Sequence, residues 1–173
     1  MNESSFSLAW PDAPSRVRDI AVRTLRAAFT VFLLDGLYVI VVFSLILHRT
    51  TAERIFQGIA YALVGPGALS GGHESAALGI LLHFAVSLGW SAVWMAVYES
   101  SASVRRVVDP APRAAVVGAA YGMVVWLAMH FIVLPFTYAK PGPIFTLGSL
   151  LVLLAHLLVV GPPIVLLERR GER

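Results

Sequence analysis

Residues 144–167 read IFTLGSLLVLLAHLLVVGPPIVLL, with no Asp, Glu, Lys or Arg among them. A helix needs about 20 mostly apolar residues to cross the hydrocarbon core of a bilayer, and this stretch is long enough. Residues 76–98 and 114–136 are also free of these charged residues, and 27–47 contains only Asp35. The runs are continuous rather than alternating, which favours helices over the strands of a barrel. The sequence therefore predicts an all-α integral membrane four-helix bundle, with spans at about these four ranges.

The composition of the whole chain agrees with a lipid environment. Of its 173 residues, 58% are hydrophobic and 13% are charged, whereas soluble domains carry about 25% charged residues. Four spans leave too few residues for a separate soluble domain. We therefore predict a single four-span membrane domain over residues 27–173, preceded by a cytoplasmic tail and the start of an interfacial helix over 1–26. The chain has no cysteine, which excludes disulfides, thiolate metal sites and cysteine nucleophiles.

The placement of the basic residues predicts the orientation, because Lys and Arg are kept preferentially in the cytoplasm. Most of them lie in the N-terminal tail, the link between the second and third spans, and the C-terminal tail. These are Arg16, Arg18, Arg23, Arg26, Arg105, Arg106, Arg113, Arg169, Arg170 and Arg173. The two other links carry only Arg49, Arg54 and Lys140. We predict a multi-pass protein of the cell inner membrane with cytoplasmic N- and C-termini. The bias also accounts for the basic excess, so no nucleic-acid partner is expected.

The first external link is predicted to contain a short helix. Thr50 and Glu53 have the spacing of a capping box. The apolar residues that follow recur at helical spacing, at Ile55, Ile59 and Leu63. Gly65 and Pro66 then supply a stop signal. We expect a short amphipathic helix over about residues 51–64 in this first external loop.

Asp35 is the clearest candidate for a functional residue. It lies nine residues after Arg26, which is roughly 13 Å along a helix that rises 1.5 Å per residue. A carboxyl group at that depth is costly and usually faces the bundle interior or a water-filled cavity. Two interpretations remain open, a proton or cation site and a structural hydrogen bond between helices.

Three histidines, His83, His130 and His156, fall within the predicted spans. His83 and His130 are expected at similar depths on neighbouring spans, and His156 near the middle of the fourth. Two imidazoles at similar depth can ligate a haem or a metal ion, and the alternative is a set of hydrogen-bonded structural histidines. The chain has no zinc-hydrolase motif, serine-nucleophile elbow or phosphate-binding glycine loop, so we do not expect an enzyme.

Small residues and prolines mark where the spans are expected to pack and to bend. Gly118 and Gly122 form a small-xxx-small pair in the third span, and such pairs permit close approach of helix backbones. We predict that they pack within the bundle, with homodimerisation as the alternative. Pro162 and Pro163 follow Gly161 inside the fourth span. A kink is expected there, because proline lacks the backbone donor of a helix.

Several short stretches occur in an order that resembles a known family. They are Asp35, RIFQGIA at 54–60, GG at 71–72 with AALG at 76–79, HF at 83–84, YGMVV at 121–125, VLP at 133–135, and His156 followed by VGPP at 160–163. In this order they are similar to the YagU-like group of uncharacterised bacterial four-span inner-membrane proteins, over most of residues 30–170. The family pattern has an amide residue where His130 stands, which weakens a paired-histidine ligand model. The resemblance implies a membrane protein without an assigned reaction.

From these features we predict a non-enzymatic accessory or small permeation-type protein that needs no cofactor. Its polar intramembrane site would centre on Asp35, His83 and His156, with Gln57 contributing from the external helix. One alternative is a haem-binding or electron-transfer subunit that uses His83 with His130 or His156. Another is a structural subunit that binds a partner. The expected partners are the lipid bilayer and either further copies of the chain or another membrane subunit.

Overall fold

The structure of the protein, a computed structural model, describes residues 13–170, which form helices and loops without a β-strand. The α-helices are α1 (Ala13–Val39), α2 (Ala52–Val64), α3 (Gly72–Ser100), α4 (Ala102–Val108), α5 (Ala111–Ala128), α6 (Leu147–Ala155) and α7 (Gly161–Glu168). The π-helical segments are Ile40–Ile46, Met129–Val133 and His156–Val160, and the 3₁₀ segments are Gly65–Ser70 and Leu134–Phe136. The prediction of an all-α fold is confirmed.

Within residues 13–170, four helices are long and apolar enough to cross a membrane. We call them span 1 (Pro14–Ile46), span 2 (Gly72–Ser100), span 3 (Ala111–Phe136) and span 4 (Leu147–Glu168). They confirm the prediction of a multi-pass membrane protein built as a four-helix bundle.

The spans differ from the predicted ranges mainly at the start of the first one. Span 1 begins at Pro14, and its helix continues without a break through the four arginines into the range predicted for the first span, which starts at residue 27. The first residues of the predicted tail and Arg173 lie outside the described residues.

The bundle has a defined packing order. Span 1 packs against spans 2 and 4, span 3 packs against span 4, and α2 lies along span 2. The buried core includes Val31, Trp94, Tyr98, Val125 and Ile164, so each span contributes to it. Many large apolar side chains outside this core are exposed on the spans, as lipid contact requires. Examples are Leu37, Leu81, Val116, Ile132 and Leu158.

Both termini of the bundle lie at the same end. Glu99, near the end of span 2, forms ion pairs with Arg16 at 3.0 Å and with Arg170 at 3.3 Å. We call this the termini end. The opposite end, which we call the α2 end, carries α2 and the link between spans 3 and 4. There the Tyr138 N–H donates to the Ala62 carbonyl at 3.1 Å, which attaches that link to α2.

Helix α2 packs unusually close to span 2. Gly79 of span 2 has no side chain, and a Cβ there would overlap the carbonyl group of Phe56. The N-cap of α2 is Thr51, whose side chain accepts a hydrogen bond from the Arg54 N–H at 3.2 Å. The predicted helix is confirmed, and the prediction of Thr50 as its cap is wrong by one residue.

The observed cap predicts the effect of replacing either threonine. Thr51→Ala removes the side-chain acceptor for the Arg54 N–H, so we expect a loss of about 1 kcal/mol in the stability of α2. Amide hydrogen exchange measured along Ala52–Val64 should become faster. Thr50→Ala is the matched control and should leave exchange unchanged. Equal effects of the two substitutions would contradict this assignment of the cap.

Candidate functional site

Asp35 of span 1 and His83 of span 2 face each other inside the bundle. Nε2 of His83 lies 3.7 Å from Oδ2 of Asp35, and their side chains are only 12% and 16% exposed. This distance is too long for a direct hydrogen bond, and a water molecule commonly bridges polar groups at such separations. Nε2 of His83 has no hydrogen-bond partner within the described protein. The pair therefore has unused capacity to bind a proton or a polar ligand.

Apolar groups surround the imidazole of His83. The ring centroids of Phe32 and Phe56 lie 5.5 Å and 6.3 Å from the centroid of His83. On span 1, Gly36 leaves space beside the imidazole, since a Cβ there would lie 3.7 Å from Nε2. A charge in such surroundings is costly unless a partner compensates it. Asp35 and His83 can compensate each other, because a proton moved between them changes both charges together.

A cavity of about 170 Å³ opens beside this pair. Residues of all four spans and of α2 line it, and its polar side chains are Asp35, His83, Ser87 and His156. Ile59 of α2 and Ile164 of span 4 are among its apolar lining residues. The volume is sufficient for several water molecules, each of which occupies ~30 Å³ in the liquid. The cavity therefore combines ionisable groups with room for water in the interior of the bundle.

His156 reaches the cavity from a π-helical segment of span 4. Its Nδ1 lies 2.9 Å from the Val152 carbonyl oxygen, and the Gly161 N–H donates to the His156 carbonyl five residues earlier. Pro162 and Pro163 follow at once and lack an N–H, so the regular α-helical bonding to the preceding turn cannot continue. The α-helix of span 4 is interrupted there by a π-segment, a feature frequently found at functional sites, and the kink stays a prediction.

The two other candidate residues lie elsewhere. His130 stacks on Trp126 with ring centroids 5.3 Å apart and does not line the cavity. Gln57 is buried at the α2 end, where its amide donates to the Gly72 carbonyl at 3.1 Å and accepts from Arg54 at 3.1 Å. The structure therefore brings Asp35, His83 and His156 together at one cavity and leaves His130 and Gln57 outside it.

Gly118 and Gly122 lie against span 4. A Cβ at Gly118 would meet the backbone of Pro162, and one at Gly122 would overlap the carbonyl group of His156. Gly161 faces both glycines across the same contact. These residues therefore allow spans 3 and 4 to touch through their backbones, which places His156 and its π-segment directly against span 3.

The donor groups around the cavity are better suited to protons than to metal ions. Within residues 13–170, no group of three or more His, Cys, Asp or Glu side chains is placed to hold a metal ion. A cavity of about 170 Å³ is also smaller than the ~300–1,000 Å³ of typical small-molecule sites. Imidazole and carboxyl groups beside water can bind, release and share protons without a further ligand.

Comparison of the chain with models of known families, with curated proteins and with solved structures gives no significant match. The resemblance to the YagU-like group stays a prediction.

The structure also contains a charged cluster that the sequence analysis missed. Glu99 forms ion pairs with Arg23 at 2.9 Å, Arg16 at 3.0 Å and Arg170 at 3.3 Å. The side chain of Arg23 is only 9% exposed. From the sequence, Arg23 was used only to predict the orientation of the protein in the membrane. Glu99 directly follows the uncharged stretch 76–98, and Glu168 directly follows 144–167. These positions in the sequence indicate acidic partners for the arginines at the termini end.

Proposed function

We propose that this chain is a non-enzymatic inner-membrane protein that conducts protons through the cavity at Asp35. One observation carries the proposal: Nε2 of His83 faces Oδ2 of Asp35 at 3.7 Å on a cavity lined by all four spans. Burial of ionisable side chains in a membrane bundle is costly and is typical of ion pathways and proton relays. A purely structural pair would satisfy its polar atoms by direct hydrogen bonds, whereas Nε2 of His83 has none.

The proposed mechanism is a proton exchange among three side chains. Water in the cavity delivers a proton to the carboxylate of Asp35, which passes it to Nε2 of His83 or back to water. His156 supplies a third proton-binding side chain on the same cavity. Its Nδ1 lies against the Val152 carbonyl oxygen, so its Nε2 points away from that carbonyl. Imidazole suits this role because its ordinary titration lies between pH 5 and 8.

The proposed orientation places the termini end in the cytoplasm. The three segments that contain most of the basic residues meet there, as the contacts of Glu99 with Arg16 and Arg170 illustrate. Positive charge is retained on the cytoplasmic side of membranes. Protons that enter the cavity from the α2 end would then come from outside the cell. They would pass next to Ile59, which lines the cavity from α2.

Haem binding is less well supported by the geometry. His83 and His156 share the cavity, but its volume of about 170 Å³ is below that of typical small-molecule sites, and His130 lies outside it. A role as a partner-binding subunit would not require the unpaired Nε2 of His83. Proton exchange uses Asp35, His83 and His156 without adding a ligand.

Proton flux into vesicles tests the proposal. Purified full-length protein is reconstituted into lipid vesicles that contain a pH-sensitive dye, and a pH gradient is imposed together with a potassium-selective ionophore. We expect the internal pH to change several times faster than in protein-free vesicles, because the cavity provides proton-binding groups in the bilayer. Equal rates in the two preparations would show that the protein does not conduct protons.

A further inference from the structure

Glu168 is a second carboxyl group in the interior of the bundle. It is the last residue of span 4, its side chain is 0% exposed, and neither Oε1 nor Oε2 has a hydrogen-bond partner in the described protein. An ionised carboxylate is very costly to bury without hydrogen bonds or a counter-charge, whereas a neutral carboxylic acid is far less so. The position of Glu168 therefore favours a carboxyl group that holds a proton.

Arg23 faces Glu168 from span 1, and both of its terminal nitrogens are occupied by other groups, while its buried Nε has no partner in the described protein. One terminal nitrogen donates to the backbone carbonyl of Glu168 at 2.6 Å. The other forms ion pairs with Glu99 at 2.9 Å and Asp19 at 3.1 Å. Two carboxylates thus already share the charge of Arg23, and the Glu168 side chain is left without a hydrogen bond from it.

Other ionisable groups near Glu168 are Arg26 of span 1, which donates to the Leu167 carbonyl at 3.0 Å, and Arg169, whose Nε is buried without a partner in the described protein. Tyr121 of span 3 packs in the same buried core cluster as Ile164 and Val165 of span 4, in the turn that precedes Glu168. On span 2, Glu99 is paired with arginines, and the Tyr98 hydroxyl accepts a hydrogen bond from the Arg170 N–H at 2.8 Å. Tyr121 is therefore the neighbour able to exchange a proton with Glu168 from the side of the cavity.

A row of buried polar side chains connects the cavity with this position. Ser87 lines the cavity, and Ser91 and Trp94 follow on the same face of span 2 at helical spacing. The Ser91 hydroxyl and the Trp94 indole N–H are both buried without a partner in the described protein. The ring of Trp94 lies 5.0 Å from that of Tyr121, whose hydroxyl donates to the Trp90 carbonyl at 2.6 Å.

The distance from the cavity to Glu168 is short. Ile164 lines the cavity and precedes Glu168 by four residues, which is about 6 Å along a helix. Buried polar groups without protein partners are commonly satisfied by ordered water. Water beside Ser91, Trp94 and Tyr121 would therefore span the interval between the two ionisable positions.

We propose that Glu168 is a second proton-binding carboxyl group. It exchanges protons with the cavity along Ser91, Trp94 and Tyr121. At the termini end it exchanges protons with the charged cluster around Glu99. This relay role rests on the proposed proton conduction, whereas the proposal that Glu168 binds a proton does not depend on it. When the Glu168 carboxyl releases its proton toward the termini end, the Tyr121 hydroxyl turns away from the Trp90 carbonyl, donates its proton to the carboxylate and accepts another from water. Tyr121 is unchanged after the cycle, and one proton has moved across the interval.

Infrared spectroscopy of the full-length protein in vesicles tests the bound proton directly. We expect a carbonyl-stretch band of a protonated carboxylic acid at neutral pH, which shifts when H₂O is replaced by D₂O. Glu168→Gln should abolish this band. Asp35→Asn should leave a Glu168 band in place, and Glu74→Gln, the same chemical change at an exposed residue, should leave the whole spectrum of this region unchanged. A band that survives Glu168→Gln, or a wild-type spectrum without one, would overturn the proposal.

Proton flux measured on the same vesicles tests the relay. Glu168→Gln should lower the flux by at least about tenfold, equivalent to ~1.4 kcal/mol in barrier height. Tyr121→Phe should also lower the proton flux while the infrared band remains. This second variant tests the relay even if Glu168→Gln does not fold. Normal flux in both variants would overturn the relay role. If the wild-type protein carries no flux, the proposed function and the relay are both wrong, whereas the band still decides whether Glu168 binds a proton.

Discussion

Vesicles that contain the Asp35→Asn variant are expected to conduct protons at least about tenfold more slowly than vesicles with the wild-type protein, a change of ~1.4 kcal/mol in barrier height. The amide has nearly the same shape as the carboxyl group, so the contacts of Asp35 beside His83 should survive. It cannot take up or release a proton at physiological pH. The internal pH dye used for the wild-type protein reports the rate, with protein-free vesicles as the background.

Asp109→Asn is the matched control for this variant. Asp109 lies in the link between spans 2 and 3 at the termini end, where its backbone carbonyl accepts a hydrogen bond from Arg169 at 2.5 Å, and it does not line the cavity. The same chemical change there should leave proton flux at the wild-type rate. If Asp35→Asn conducts as well as wild type, Asp35 has a structural role and another route must carry the protons.

Gly122→Ala is expected to reduce the free energy of unfolding by about 3 kcal/mol, the upper part of the usual range for overpacked cores. The added Cβ would overlap the carbonyl carbon and oxygen of His156. Both overlapping atoms are in the backbone, so no side chain can rotate to relieve the contact. Spans 3 and 4 would have to separate along their whole crossing. Denaturant unfolding of the purified protein in detergent micelles, followed by circular dichroism, measures the effect.

Gly89→Ala makes the same change where space is free. Gly89 lies in span 2, and a Cβ there would have no neighbour within 4 Å. Replacement of an unrestricted helical glycine by alanine should leave stability unchanged or raise it by about 0.5–1 kcal/mol. If the two alanine variants unfold at the same denaturant concentration, the close contact between Gly122 and His156 does not exist in the folded protein.

The positions of the helices could be predicted because they depend on local properties of the chain. The apolar run at 144–167 identified span 4 (Leu147–Glu168) to within a few residues. The short amphipathic helix was also predicted from local spacing, with an error of one residue at its cap. That error arose because Thr50 and Thr51 are equally suitable in sequence, and only the backbone decides which hydroxyl reaches the Arg54 N–H.

The candidate site was only partly predictable, because it depends on how the helices are rotated about their axes. Position along the helices predicts His83 and His130 at similar depths on neighbouring spans, yet His130 stacks on Trp126 and does not line the cavity. Gln57 was predicted to contribute to the polar site from the external helix, but its amide bonds to Arg54 and to the Gly72 carbonyl instead. Neither residue lines the cavity.

Hydrophobicity and charge along the chain were enough to establish four helices, a lipid environment and an isolated carboxyl group in the first span. Each of these follows from the cost of exposing charges and unpaired backbone groups to hydrocarbon, a cost that any single helix incurs by itself. The meeting of Asp35 with His83, and the burial of Glu168 beside Arg23, required the packed bundle. Such contacts join residues 48 and 145 positions apart, and their geometry depends on where small residues let neighbouring backbones approach.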